Sequence, residues 1–427
     1  MFRLLRQSSQ KVNLGRISRN TIILLLLAVS KDAITIPFLS FIARSLGPDG
    51  FGLYSVAMSY VAIFMAILDI GAGKILTREI SKSKKDVGSL TVINSFFALK
   101  IPILLLTVGG TIILLRLISY SMEQQVNILL TVFIAFAMSL AIAARAVFHA
   151  FQEMEYDIVG ILGERFVTIL FAVIAVTLGL DVLGVLLAFL LGNIADACLS
   201  WYLVHRKFIG LEPSFSKTDT ILYFRVGFPV LVTALFSTLY LRVGPILLER
   251  FVGETAAGLF QAGFHLFVLG LYIPQMMGLA IFPVFSRLAY ENRIMLESVW
   301  RRSAFLMFLA GVILALSIAV ISNWFIPFLY GEDFSAAIGV VQLLVWSLPF
   351  SFASVIMAQL LVALDQQAVV AKIAAVASVI NIGLSLWLIP VWEMNGAAFA
   401  VALTEVFICL QYVIILFWYR NSYEKLD

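Results

Sequence analysis

Charge is scarce in this sequence. Only 13% of its 427 residues are Asp, Glu, Lys or Arg, against 62% that are hydrophobic, and a fold in water cannot cover that much apolar side chain with so few charges. A soluble domain is excluded. Cysteine and histidine are scarcer still. Cys198 and Cys409 each sit inside an apolar stretch, and His149, His205 and His265 show no metal-ligand spacing, which removes a disulfide framework and a metal centre and leaves no call for a cofactor. Long polar segments are missing too. The stretch 205–220, HRKFIGLEPSFSKTDT, is the one sizeable polar connection, and the outward loops run to no more than roughly a dozen residues. A membrane enzyme that joins or polymerises sugars would carry acids or histidines on a large polar loop, so the enzyme class is disfavoured.

Apolar runs of roughly 20 residues fill the chain, each long enough as a helix to cross a hydrocarbon layer of about 30 Å. Twelve are read, from 21–43 and 53–72 at the start to 368–388 and 396–418 at the end. The expected fold class is therefore an all-α integral membrane protein with about twelve transmembrane helices. Basic residues set its orientation. With the N-terminus in the cytoplasm, nineteen Lys or Arg fall in the tails and inner loops, and only Arg44, Arg116 and Arg250 fall outside, the asymmetry that cytoplasmic loops carry. The net charge of +4 thus reflects topology, and no nucleic-acid partner is implied. The opening FRLLRQ, TIILLLL and AVS also has the layout of a signal peptide. Against cleavage stands an internal repeat that needs this segment as its first helix.

That repeat is centred on a glycine corner. SLGPDGFGLY at 45–54 and FVGETAAGLF at 251–260 align at an offset of 206, matching Gly47 to Gly253, Gly52 to Gly258 and Arg44 to Arg250. LGVLLAFLL from Leu183 and NGAAFAVAL from Asn395 align at an offset of 212. Six helices then form a unit that occurs twice, as an N-terminal lobe over 1–208, a cytoplasmic linker over 209–219 and a C-terminal lobe over 220–427. An even number of spans keeps both copies in the same orientation, and parallel repeats suit a transporter that holds its substrate between two bundles. The glycines allow a sharp corner in each first hairpin. Pro37 and Pro245, at corresponding places in the first and seventh spans, each remove a helical hydrogen bond and mark bends.

The run IPFLSFIARSLGPDGFGLYSVAMSY followed by DIGAGKILTREISKSKKD resembles the opening of polysaccharide transporters and O-antigen flippases, of the multidrug, oligosaccharidyl-lipid and polysaccharide exporter superfamily. The resemblance is sharpest over Leu46 to Tyr54 and at Arg78, Glu79 and Ser81. It implies a flippase that carries a lipid-linked oligosaccharide, on a polyprenyl phosphate or pyrophosphate, from the inner to the outer leaflet of the cytoplasmic membrane. It also implies membrane lipid as a partner and both termini in the cytoplasm. Lipid II flippases of the superfamily have two further C-terminal helices, for which this chain has no matching apolar runs. A multidrug exporter of the same superfamily is the alternative, although a cavity for drug cations should be acidic.

Cations inside the spans point the same way. Lys31, Lys100, Arg145, Arg165 and Arg242 lie within apolar runs, where a central cation facing lipid costs about 2.5–3.5 kcal/mol on insertion scales. Each must meet water, an anion or a counter-ion. One reading makes them a cationic vestibule for the phosphate of the substrate. The other pairs them with Asp32, Glu164 and Asp196, carboxylates that could equally take a coupling proton or sodium ion. A monomer is expected, since the two lobes enclose such a vestibule without a second copy.

Overall fold

The computed structural model describes residues 14–83, 87–118, 120–208 and 216–423, with side chains first described at Ile34. Among the described residues there is no strand. The helices are α1 (Leu14–Asp69), α2 (Ala72–Ser83), α3 (Val87–Ile118), α4 (Met122–Phe151), α5 (Glu155–Thr177), α6 (Val182–Leu203), α7 (Lys217–Phe251), α8 (Glu254–Glu291), α9 (Arg293–Tyr330), α10 (Ala337–Leu344), α11 (Leu348–Ala363) and α12 (Gln367–Tyr423). Ten helical segments are long and apolar enough to cross a membrane. The chain is an all-α, multi-pass membrane protein.

Two helices, α1 at 56 residues and α12 at 57, are long enough to cross twice, and each contains a break. In α1 the break is Gly47, at φ 68° and ψ −179°, a left-handed position that a residue without Cβ adopts freely. Pro48 follows and cannot donate to the preceding turn. In α12 the break is Glu393, at φ 51° and ψ −131°, where no glycine marks the bend.

One stretch read from sequence as a basic loop is helical. In α2 the side chains of Ala72, Ile75, Leu76 and Ile80 are buried while Lys74, Arg78 and Lys82 are exposed, the period of a helix lying on a surface. Too few apolar residues separate these charges to make a span, so a search for 20-residue runs passes over it. Asp69 precedes the helix, its carboxyl close to the backbone amides of Gly71, Ala72 and Gly73 and its Oδ1 buried without a hydrogen-bond partner.

Helices α5 and α6 pack on each other and on α4, whereas α11 is surrounded by α8, α9 and α12, with α7 against α12. The part of α1 after Gly47 runs between these groups and touches α4, α7 and α8. Here the repeated corner finds its purpose. A Cβ on Gly52 would collide with the carbonyl of Glu254, and one on Gly258 with the carbonyl of Pro48, so each corner presses its bare backbone into the other. The hydroxyl of Thr255 donates to the Asp49 carboxylate across the same contact. Positions 49 and 255 are themselves one repeat apart.

The start of α4 closes over this corner. Ser121 and Gln124 form a reciprocal cap, Gln124 N donating to Ser121 Oγ and Ser121 N to Gln124 Oε1, both at 3.2 Å, the capping-box pattern. The amide nitrogen of Gln124 then reaches Glu249 at 2.9 Å and Glu254 at 3.2 Å. At the opposite end of the seam α7 meets the turn before α2. A Cβ on Gly227 would come within 2.6 Å of Ile70 Cγ2 and one on Gly71 within 2.8 Å of Val230 Cγ1, and Tyr223 stands edge-on to Phe96, ring centroids 6.4 Å apart.

Candidate functional site: two arginines at the seam

Arg165 extends from α5 and Arg242 from α7. Both act electrostatically on the phenol of Tyr54, which lies on α1 two residues past the corner glycine. One cation from each half of the chain thus lies in electrostatic range of this buried residue, as does the Glu164 carboxylate, which acts in the opposite sense. The surroundings of the two arginines differ. Arg165 lies 3.4 Å from the neighbouring Glu164 carboxylate, but its Nε is buried without a hydrogen-bond partner. Glu164 also accepts from Thr168 Oγ1 at 3.1 Å. Arg242 is half-buried and, among the described residues, forms no ion pair with a carboxylate. A guanidinium so placed has five N–H donors to satisfy, and the cost of leaving them bare makes it a ready acceptor of an anion.

Next to it on α8, Gln261 Nε2 and His265 Nε2 are 2.9 Å apart. Gln261 Oε1 and His265 Nδ1 are buried without partners, and the Phe51 ring meets His265 edge-on at 6.2 Å. Gln261 and His265 are one helical turn apart, which is what aims both at the seam. No spacing motif marks them in the sequence. Their signal was only a pair of polar residues four apart on the apolar face that follows the second corner.

The other expected cations are placed elsewhere. Lys100 is 2% exposed, donates to Leu68 O and, at 2.9 Å, to Ser139 Oγ, and stands 4.3 Å from the Phe96 ring centroid. Its hydrogen bonds join α1, α3 and α4. Arg145 bridges two carboxylates, Asp196 Oδ2 at 2.5 Å and Asp157 Oδ1 at 3.4 Å. Ser200 donates to Asp196 at 2.8 Å and His149 lies 2.9 Å from Asp157. This network ties α4, α5 and α6 together. The side chains of Lys31 and Asp32 lie outside the described residues. Pro37 falls within α1 and Pro245 within α7, where a second proline, Pro229, stands nearer the other end. Gly253 precedes α8 at φ 127°, the partner of Gly47 in conformation as well as in sequence.

Deleting one member of the Arg145 network should be felt as lost stability. Asp196→Ala leaves a buried guanidinium with one carboxylate in place of two, and breaking such a buried pair costs about 3–5 kcal/mol. Because Asp157 stays beside Arg145, the expected loss lies at the low end. A thermal unfolding midpoint in detergent unchanged from the parent would show that Asp196 carries none of this load.

Comparison with known proteins agrees with this architecture. The family model described as "Polysaccharide biosynthesis protein" matches residues 17–289. A relative from Shigella flexneri, named "Putative O-antigen transporter", is 46% identical over 48 residues, so the match covers 11% of this chain and 11% of that protein. Among solved structures, an inward-facing multidrug resistance MATE family transporter of the MOP superfamily superposes with a TM-score of 0.73 at 16% identity, over 93% of this chain and 95% of that one. The lipid II flippase MurJ, in an inward closed conformation, superposes with a TM-score of 0.68 at 14% identity, over 90% and 87%. At these identities the likeness is one of fold.

Proposed function

Because the chain belongs to the polysaccharide biosynthesis protein family, we propose that it is a flippase that moves a lipid-linked oligosaccharide across the cell membrane, exposing the seam between two lobes alternately to each side. The observation that carries the reading is the meeting of Arg165 and Arg242 at Tyr54. Two cations from opposite parts of the chain, one of them without a carboxylate, suit a polyprenyl phosphate or pyrophosphate whose headgroup crosses between the lobes while its tail stays in lipid. Lys31, and Lys100 and Arg145 once the seam opens, would extend the cationic surface. Glu164, Asp196 and Asp32 would serve as counter-ions or take a coupling proton or sodium ion. A multidrug exporter shares the fold but would present carboxylates where Arg242 stands.

The lobes in this reading are 1–208 and 220–427, six spans each, α1 and α12 both counting as two. The chain acts as a monomer. The corner end of the seam faces outward, and α2, the 209–219 linker and both termini lie in the cytoplasm. Purified protein in liposomes should deliver a defined lipid-linked oligosaccharide to the opposite leaflet; vesicles showing no more translocation than protein-free controls would sink the proposal. Topology is tested separately. With Cys198 and Cys409 replaced, single cysteines at Ser8, Ser216 and Ser422 should stay unlabelled by an impermeant maleimide added to intact cells, and labelling at Ser216 would overturn the twelve-span arrangement.

A further inference from the structure

Glu164 and Asp196 each have a cation nearby, but a carboxylate deep in the second half does not. Glu405 lies in α12, twelve residues past the break at Glu393, and is 7% exposed. Among the described residues it forms no ion pair. Its partners are neutral. Tyr240 Oη of α7 donates to Glu405 Oε1 at 2.5 Å, and the hydroxyl of Ser351, on α11, lies beside the carboxyl while donating at 3.1 Å to Ser347 O. Neutral hydroxyls face the carboxyl, and neither supplies the charge that a buried carboxylate needs. The titratable groups around it are Tyr240 from α7 and, on its own helix, Cys409 and Tyr412; α11 adds only hydroxyls, and α10 has no charged side chain. An ionised carboxylate in that setting would be a buried charge without compensation.

We propose that Glu405 is a proton-binding site whose state is read by α7 through Tyr240. Bound, the proton sits on the Glu405 carboxyl while Tyr240 donates to its Oε1. On release it leaves as a hydrated proton, and the carboxylate that remains calls for more donors than Tyr240 and Ser351 provide, so the contact between α7 and α12 must rearrange to admit water. The consequence reaches the seam along a rigid element. Tyr240 and Arg242 are two residues apart on α7, about 200° around the helix, so the helix is gripped by Glu405 on one side while it holds Arg242 toward Tyr54 and His265 on the other. Pro229 and Pro245 bracket this stretch, giving it places to bend. A proton is favoured over sodium because Tyr240 already fills the carboxyl's near side as a donor, whereas a metal ion needs acceptors converging on a gap.

The proton site stands without the transport reading; its use to position Arg242 rests on that reading. The test is infrared difference spectroscopy on purified full-length protein, comparing the parent with Glu405→Gln at neutral pH. The parent should show the C=O stretch of a protonated carboxyl, absent from Glu405→Gln and shifted in Tyr240→Phe, with an intensity that falls about tenfold per pH unit once the pH passes the group's own pKa. No lipid substrate enters this measurement, so its result is independent of whether the protein moves lipid-linked sugar. A parent spectrum without that band, a band that survives Glu405→Gln, or one that responds to sodium at fixed pH would overturn the proposal. In liposomes, the pH dependence of translocation should flatten in Glu405→Gln; an unchanged profile would overturn the link from Glu405 to Arg242.

Discussion

Gly52→Ala, and more severely Gly52→Val, should leave a protein that inserts into the membrane but no longer closes its corner. Even the first carbon of a side chain at this position collides with the carbonyl of Glu254. A carbonyl in the first turn of a helix cannot swing aside as the end of a flexible side chain can. Overpacking of this kind costs about 1–3 kcal/mol, occasionally more, and here the whole penalty falls on the closed corner because it vanishes when the two glycines part. A cost of 1.4 kcal/mol shifts such an equilibrium about tenfold. Two readings follow. Translocation should fall by about tenfold or more, and a cysteine placed at Thr255 should gain labelling from outside as the corner stays open. Normal transport together with parental labelling at position 255 would show that the contact between the glycines plays no part in the cycle.

The second large effect is expected at Arg242. Arg242→Gln keeps a polar, though shorter, side chain but gives up the charge, and a hydrogen bond to a charged group contributes about 1.5–3 kcal/mol. Headgroup affinity should drop about ten- to a hundredfold. Arg242→Glu should be worse, since it sets a carboxylate against a phosphate beside Arg165 and Glu164. Lys31→Gln should act in the same direction if its side chain shares the vestibule. Lys100→Gln should behave differently: its nitrogen is bonded to Leu68 and Ser139 inside the packing of α1, α3 and α4, so its loss should lower thermal stability before it touches substrate affinity. Parental affinity in both Arg242 variants would remove the phosphate from this site.

Much of the fold was legible because a membrane span is a long one-dimensional signal. Twenty apolar residues in a row stand out at any composition, and the glycine corners stood out because positive φ and close backbone approach both select the same residue. α2 did not stand out, since its period is that of a surface helix and its length is under four turns. The break at Glu393 falls between the runs 368–388 and 396–418, and only its seat was hidden: a bend imposed by packing can force a non-glycine residue into positive φ, and no glycine announces it. For the site, depth within a run identified cations that needed a partner but could not say which partner. Arg145 and Arg242 look alike in sequence, yet one bridges Asp157 and Asp196 while the other meets no carboxylate among the described residues. That difference depends on which helices are neighbours, and pairing across helices leaves no periodicity to read. Glu405 is illegible for the same reason: an acid within an apolar run reads alike whether it meets a cation or only hydroxyls.

Gln124 has a consequence for the speed of the cycle. Its carbonyl is held by the backbone of Ser121, so its amide nitrogen already points at Glu249 and Glu254 whether or not they are there. Most long polar side chains must be frozen anew each time an interface forms, at about 0.5–1.5 kcal/mol each. Here the freezing is done once, when α4 folds. In the proposed cycle each closing of the corner would find its donor in place, its rate set by how fast the helices move and not by a search by this side chain.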